Sequence, residues 1–199
     1  MTCQSCQFDH PEATTCECGV LLCPQCRGEH ECDVTAEEDA VPVLTLRGHQ
    51  AATINLTHEA LRRVQRVVVV APTGSGKRYL AVWWAKRIQE KGRRVLIVTD
   101  RRLLVKQMLD ELQRFGVDYG IIMAGEPRWD APTVQVASIQ TLRSRHLDNG
   151  DGLPDADWLI VDEAHKEPAA YAKLFDYYPG SKIVGLTATP VGPEGRALV

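Results

Sequence analysis

A chain of 199 residues, 44% of them hydrophobic, is long enough for one well-buried domain and a small satellite, since domains typically run ~100–200 residues. Its formal net charge of −3 excludes a molecule-wide attraction for nucleic acid, so any surface of that kind has to be local. No run reaches the ~18 apolar residues of a membrane span, and the opening MTCQSCQFDH lacks a signal peptide's apolar core, so the expectation is a cytoplasmic protein with no membrane partner.

All seven cysteines, Cys3, Cys6, Cys16, Cys18, Cys23, Cys26 and Cys32, lie in the first 32 residues. An odd count without a secretory signal fits a disulfide framework poorly. Close Cys pairs, by contrast, give a tetrahedral zinc site two ligands from one tight turn. With His30 they form four pairs, Cys3/Cys6, Cys16/Cys18, Cys23/Cys26 and His30/Cys32, a ligand set for two zinc ions. His10 is a spare candidate, read as a surface histidine. A segment this short buries too little apolar surface to fold alone, so metal binding supplies most of its folding free energy. The run CQSCQFDHPEATTCECGVLLCPQCRGEHEC resembles the AN-one type zinc fingers, but has Cys26 where that family usually has histidine and a shorter gap before His30. Its expected role is a scaffold or a surface for a protein partner, with nucleic-acid contact as the second reading.

Residues 33–45, DVTAEEDAVPVLT, are acidic and then Pro-interrupted, which reads as a connection with its boundary near residue 42. The organisation is therefore a zinc-binding module over 1–34, a linker over 35–45 and a larger region over 46–199. The stretch HEALRRVQR, 58–66, predicts a short helix carrying Arg62, Arg63 and Arg66, chiefly as a solvated face and secondarily as phosphate contacts. Valine- and isoleucine-rich runs follow at 67–71, 94–99, 133–138, 158–162 and 182–187, with a further short strand near YGIIM. Between them, KRYLAVWWAKRIQEKG and RRLLVKQMLDELQRFG have helical period, and Trp83 and Trp84 of the first are expected in the core. Continuous apolar strands alternating with helices predict an α/β fold, a parallel sheet covered on both faces, with its chemistry at the C-terminal strand ends.

The segment APTGSGK follows the first of these strands and opens a helix, the context in which the G-x-x-x-x-G-K pattern becomes a phosphate-binding hypothesis, although here the count begins at Ala71. Gly74 and Gly76 let backbone N–H groups turn toward phosphates, the helix N-terminus adds its positive end, and Lys77 would reach the β and γ phosphates. LIVDEAH, 159–165, is an apolar strand ending in adjacent carboxylates. Asp162 is placed to hold Mg²⁺, directly or through water, and Glu163 to orient and deprotonate an attacking water.

From residue 46 to about 190 the chain resembles the superfamily-two helicases and translocases that carry a DEAH box, whose first lobe is a RecA-like P-loop NTPase fold. LRGHQ is similar to the segment bearing an adenine-reading glutamine, Gln50. APTGSGK matches motif I, VTDRRLLVKQ Ia, VASIQTL Ib, VDEAH II and GLTATP III. The resemblance implies ATP and Mg²⁺ beside the Zn²⁺ of the N-terminal module, with Thr73, Gly74, Ser75, Gly76, Lys77 and Arg78 around the nucleotide. It places Arg101, Arg102, Gln107, Ser138 and Gln140 near the nucleic-acid path, DNA in preference to RNA. Thr187 and Thr189 would link the two sites, and His165 either meets the γ-phosphate environment or ends the turn.

Arg78 departs from the pattern. The family has a hydroxyl there for Mg²⁺, and a guanidinium is a donor only and always cationic. Either its charge joins the phosphate site or its side chain points away, because first-turn residues diverge by about 100° each. The expectation is nucleotide binding, with hydrolysis open. The chain ends just past motif III, so a second RecA-like lobe or subunit would have to supply an arginine finger, a group worth ~10³–10⁵ in rate in phosphoryl-transfer systems. The leading reading is thus the first lobe of a truncated or split nucleic-acid motor. A non-catalytic, ATP-sensing or nucleic-acid-docking module recruiting a partner through its zinc finger is the alternative, and a restriction-associated motor subunit the third.

Overall fold

The computed structural model describes residues 14–15, 21–22, 41–147, 152–163 and 168–189. The chain divides into two units, Met1–Val41 and Pro42–Val199. In the first, strand β1 (Thr14–Thr15) pairs antiparallel with β2 (Leu21–Leu22), Thr14 opposite Leu22. The seven cysteines, His10, His30 and His165 lie outside the described residues, as does the ligand set read from them.

The second unit is built on a six-stranded, wholly parallel sheet in the order β3-β8-β7-β4-β6-β5. Its strands are β3 (Arg66–Val70), β4 (Val95–Thr99), β5 (Tyr119–Ile122), β6 (Val134–Ser138), β7 (Trp158–Asp162) and β8 (Lys182–Thr187). Among the described residues five helices accompany them: α1 (Gly48–Ala60), α2 (Lys77–Gln89), α3 (Arg102–Arg114), α4 (Ile139–Arg145) and α5 (Pro168–Asp176). The chain runs outward from β3 to β4 and β5, then returns through β6, β7 and β8. Right-handed crossovers therefore place α2 and α3 on one face and α4 and α5 on the other.

Side-chain alternation along the strands divides the core accordingly. Val95 and Ile97 of β4, Val134 and Val136 of β6, Ile160 of β7 and Val184 of β8 pack with Leu80, Trp84, Met108 and Leu112. Leu96, Val98, Leu159, Val161 and Ile183 pack with Leu142, Tyr171 and Leu174. Strands buried on both faces read as uninterrupted apolar runs, which is why every predicted strand is present with ends shifted by at most one residue.

Two expectations are corrected. Arg62, Arg63 and Arg66 do not share a helix, because α1 stops at Ala60. The backbone tightens into i−3 bonds, Arg62 N to Glu59 O and Arg63 N to Ala60 O. Gln65 O then accepts from Ile183 N, which pulls the chain onto β8, so Arg66 begins a strand. Of the two adjacent tryptophans only Trp84 is core, at 1% exposure, whereas Trp83 is half-buried.

Candidate functional site

The C-terminal strand ends gather the candidate residues. The β3 strand runs out at Val70, Ala71 N still donates to Thr187 O of β8 at 2.9 Å, and the chain then turns through Pro72–Gly76 into α2. Gly74 (φ 83°) and Gly76 (φ 85°) take the left-handed conformation this turn requires. Gly76 caps α2 without a side chain, so the first-turn N–H groups, which have no intrahelical partner, are left without a side-chain cap. Lys77 Nζ is folded back onto the carbonyls of Ala71 (3.0 Å) and Pro72 (3.2 Å), holding a positive charge inside the turn.

Gln50 braces the loop from α1. It is 5% exposed, donates from Nε2 to Ser75 O at 3.3 Å and accepts from Arg47 N at 2.9 Å through Oε1, a glutamine reaching back over the first turn of its own helix. Thr73 lies exposed on the loop.

Asp162 ends β7, 6% exposed, and its Oδ1 accepts from Glu163 N at 3.1 Å. Burial, and then the charge of Glu163, push its carboxyl above the usual aspartate range. Arg78, the Glu163 N–H and Lys77 act in the opposite direction. The cations of the loop and the carboxylate of β7 thus share one electrostatic site. Glu163 is held at φ 54°, in left-handed backbone that glutamate seldom adopts, a strain of the kind that clusters at functional sites.

Arg78 does not stretch out into solvent. Its Nη2 donates to Gln107 Oε1 on α3 at 2.6 Å, and its Nε is buried with no partner among the described residues, as is Ser75 Oγ. A loop with a lysine ammonium on carbonyls and two unmet buried polar groups fits a polyphosphate. For a divalent cation, Asp162 is a fitting oxygen ligand, whereas the position after Lys77 offers no oxygen.

A second cluster sits at the ends of β4 and β6. Ser138 Oγ donates to Gln140 Oε1 (2.7 Å), Gln140 Nε2 to Asp100 Oδ1 (2.8 Å), and Arg101 Nε lies 3.5 Å from Asp100 Oδ2. Asp100, 7% exposed, organises these groups and was not singled out in the sequence; the signal was an acid closing the apolar run VLIVTD. Arg102 stands exposed at the start of α3. At the end of β8, Thr187 Oγ1 donates to Thr189 O (2.8 Å) and accepts from Thr189 N (3.0 Å), a compact turn beside the Ala71 end of the loop. Gln107 joins Arg78 in preference to the Asp100 cluster.

Residues 43–192 match the ResIII family, described as the Type III restriction enzyme res subunit. The chain belongs to this family. The ResIII lobe is 31% identical over 156 residues to the Type I restriction enzyme EcoAI endonuclease subunit of Escherichia coli, a match covering 72% of the chain and 19% of that subunit. The chain therefore spans about a fifth of that relative's length. Among solved structures it is similar to the Hef helicase domain of Pyrococcus furiosus (TM-score 0.59, 25% identity, 75% of this chain and 34% of that one). It shares its fold with the Type ISP restriction-modification enzyme LlaGI, solved with a DNA substrate mimic (TM-score 0.59, 15% identity, 77% of this chain and 18% of that one). The sheet is thus that of a RecA-like helicase lobe, and membership implies ATP and Mg²⁺. No helix among the described residues is long and apolar enough to cross a membrane.

Proposed function

We propose that residues 46–199 form the ATP-binding first lobe of a DEAH-type, DNA-directed translocase of the restriction-enzyme and helicase kind. The observation that carries this reading is the glycine loop, left-handed at Gly74 and Gly76, that opens α2 and holds Lys77 on its carbonyls, at the same strand ends as the buried Asp162. In this reading Lys77 exchanges the Ala71 and Pro72 carbonyls for the β and γ phosphates, a stronger, charge-assisted partner. Thr73 through Gly76 offer N–H groups to the same phosphates, and Gln50 orients the loop and the base end of the nucleotide. Glu163 positions and deprotonates the attacking water. Mg²⁺, held by Asp162, would neutralise charge on the phosphoryl oxygens.

Arg101, Arg102, Ser138 and Gln140 belong to the DNA path, and Thr187 and Thr189 couple it to the loop. DNA is favoured over RNA because the LlaGI relative of like fold was solved with a DNA mimic. A second RecA-like lobe or subunit completes the site with an arginine finger. The N-terminal module binds two zinc ions through Cys3, Cys6, Cys16, Cys18, Cys23, Cys26, His30 and Cys32 and recruits a protein partner. The protein works in the cytoplasm.

One observation favours a second reading, a nucleotide sensor. Arg78 stands where a hydroxyl would serve the metal, and it ties the loop to Gln107 on α3. Phosphate release by the full chain, with Mg²⁺-ATP and single- or double-stranded DNA or RNA, separates the two. DNA-stimulated turnover lost in Lys77→Ala is the motor result. ATP binding with no turnover, even after a second lobe is added, is the sensor result and overturns the motor.

A further inference from the structure

At the opposite margin of the sheet, where the parallel strands begin, a cavity of 660 Å³ is lined by Arg62, Trp83, Lys91, Arg93, Trp158 and Lys182, among others. Strands β7 and β8 start there with Trp158 and Lys182, and the C-terminal half of α2 forms its wall. Because α2 starts at the nucleotide loop and rises ~1.5 Å per residue, the two sites are about 20 Å apart along it.

The charge of this cavity is one-sided. Arg62 and Lys91 have no acidic partner among the described residues. Lys182 Nζ donates to a neutral carbonyl, Leu61 O, at 2.7 Å and not to a carboxylate. Arg93 meets Asp157 only at 3.9 Å, between two well-exposed side chains. Arg87, paired with Glu90 at 3.0 Å, also covers the Trp83 ring at 5.7 Å. Five cations thus answer two carboxylates, outweighing the half-charge at the end of α2.

The walls between these cations are aromatic. His58 lies among Trp83 and Trp158, each at a 6.2 Å centroid distance, and Trp84, whose Nε1 donates to His58 Nε2 at 3.1 Å. Burial, then the charges of Lys91 and Arg62, push the imidazole below its ordinary range. Both Trp83 and Trp158 are half-buried and keep part of their rings at its surface.

We propose that this cavity is a second nucleic-acid site, which takes a short single-stranded segment by stacking a base on its tryptophans and holding the flanking phosphates with Arg62, Lys91 and Arg93. Aromatic platforms interleaved with a positive groove are the means by which single strands are held without regard to sequence. A duplex hides the base faces such a platform needs, and an acidic peptide would use the cations but leave the indoles unused. The inference does not depend on the nucleotide loop, because binding here requires no ATP.

The test is fluorescence anisotropy of a labelled dT12 strand with the full chain, without nucleotide, across a salt series, together with tryptophan quenching. In the double variant Arg62→Glu/Lys91→Glu, affinity is expected to fall at least about tenfold, and the log K against log salt slope to shrink by about 1.4, two phosphate contacts' worth for a single strand. The loss persists in an Arg101→Ala/Arg102→Ala background, which separates this site from the one at the other end of the strands. Trp158→Leu diminishes the quench, and a hairpin duplex of the same charge binds more weakly. Unchanged affinity and slope in the double variant, in protein whose circular dichroism and Tm match the parent, overturn the proposal. Equal displacement of dT12 by a poly-glutamate peptide also overturns it, in favour of an acidic protein partner.

Discussion

Gly76 has little freedom to change. An added Cβ would sit 2.5 Å from Gln50 Nε2 on backbone at φ 85°, whereas at Gly74, φ 83°, it would meet open space. Left-handed backbone costs an L-residue about 1–2 kcal/mol, so both Ala variants are expected to lose that much stability in urea unfolding. Only Gly76→Ala loses more, and Gln50→Ala in the same chain is expected to remove the excess but not the common loss, a coupling read by a double-mutant cycle. His58 carries a pH prediction. Its folded pKa is lowered, so protons bind the unfolded chain first, and stability present above pH ~6.5 is lost as pH falls toward the folded value. Thermal melts between pH 7.5 and 5 should show Tm dropping on the acid side, and His58→Gln should flatten that limb. At this scale the sequence placed Lys77 and Asp162 at strand ends, where they share one field. It did not disclose the Arg78–Gln107 contact, because a first-turn side chain's direction depends on a neighbouring helix 29 residues away.

Among the elements, β5 and β6 are parallel neighbours joined without a helix, so the connecting loop crosses close to the sheet. An added Cβ on Gly120 would lie 2.0 Å from Trp129 O and 2.4 Å from the Gln135 amide. Gln135 Nε2 in turn donates to Trp129 O and Pro132 O, so the loop cannot retreat without breaking both bonds. Gly120→Ala is therefore expected to cost about 1–3 kcal/mol, as overpacking does, seen as a lower urea midpoint at constant m. Helices α2 and α3 were legible because apolar residues recur at helical spacing, and the strands because they are buried on both faces. The end of α1 was not: HEALRRVQR keeps a helix-compatible pattern, and what stops it is a tertiary pull, Lys182 on Leu61 O and Ile183 on Gln65 O, from the last strand of the sheet. The order of the strands was equally hidden, since β3 pairs with the strand most distant from it in the chain.

For the whole molecule, two differently built units imply two responses to a chelator. Atomic absorption is expected to find about two zinc ions per chain. Stripping them should unfold the N-terminal module while the melt of residues 42–199, whose core is made within that unit, stays in place. A zinc-free protein with an unchanged N-terminal signal would remove the metal reading and leave the lobe's assignment untouched. The pairing of β3 with β8 also has a consequence for how the chain is made. Residues 66–70, RVVVV, leave the ribosome more than a hundred residues before residues 183–187, the strand against which they are zipped. At ~5–20 residues per second that is roughly 6–23 s during which a valine-rich segment waits without its partner. The nucleotide loop that hangs from it can take its final form only when synthesis of the sheet is complete.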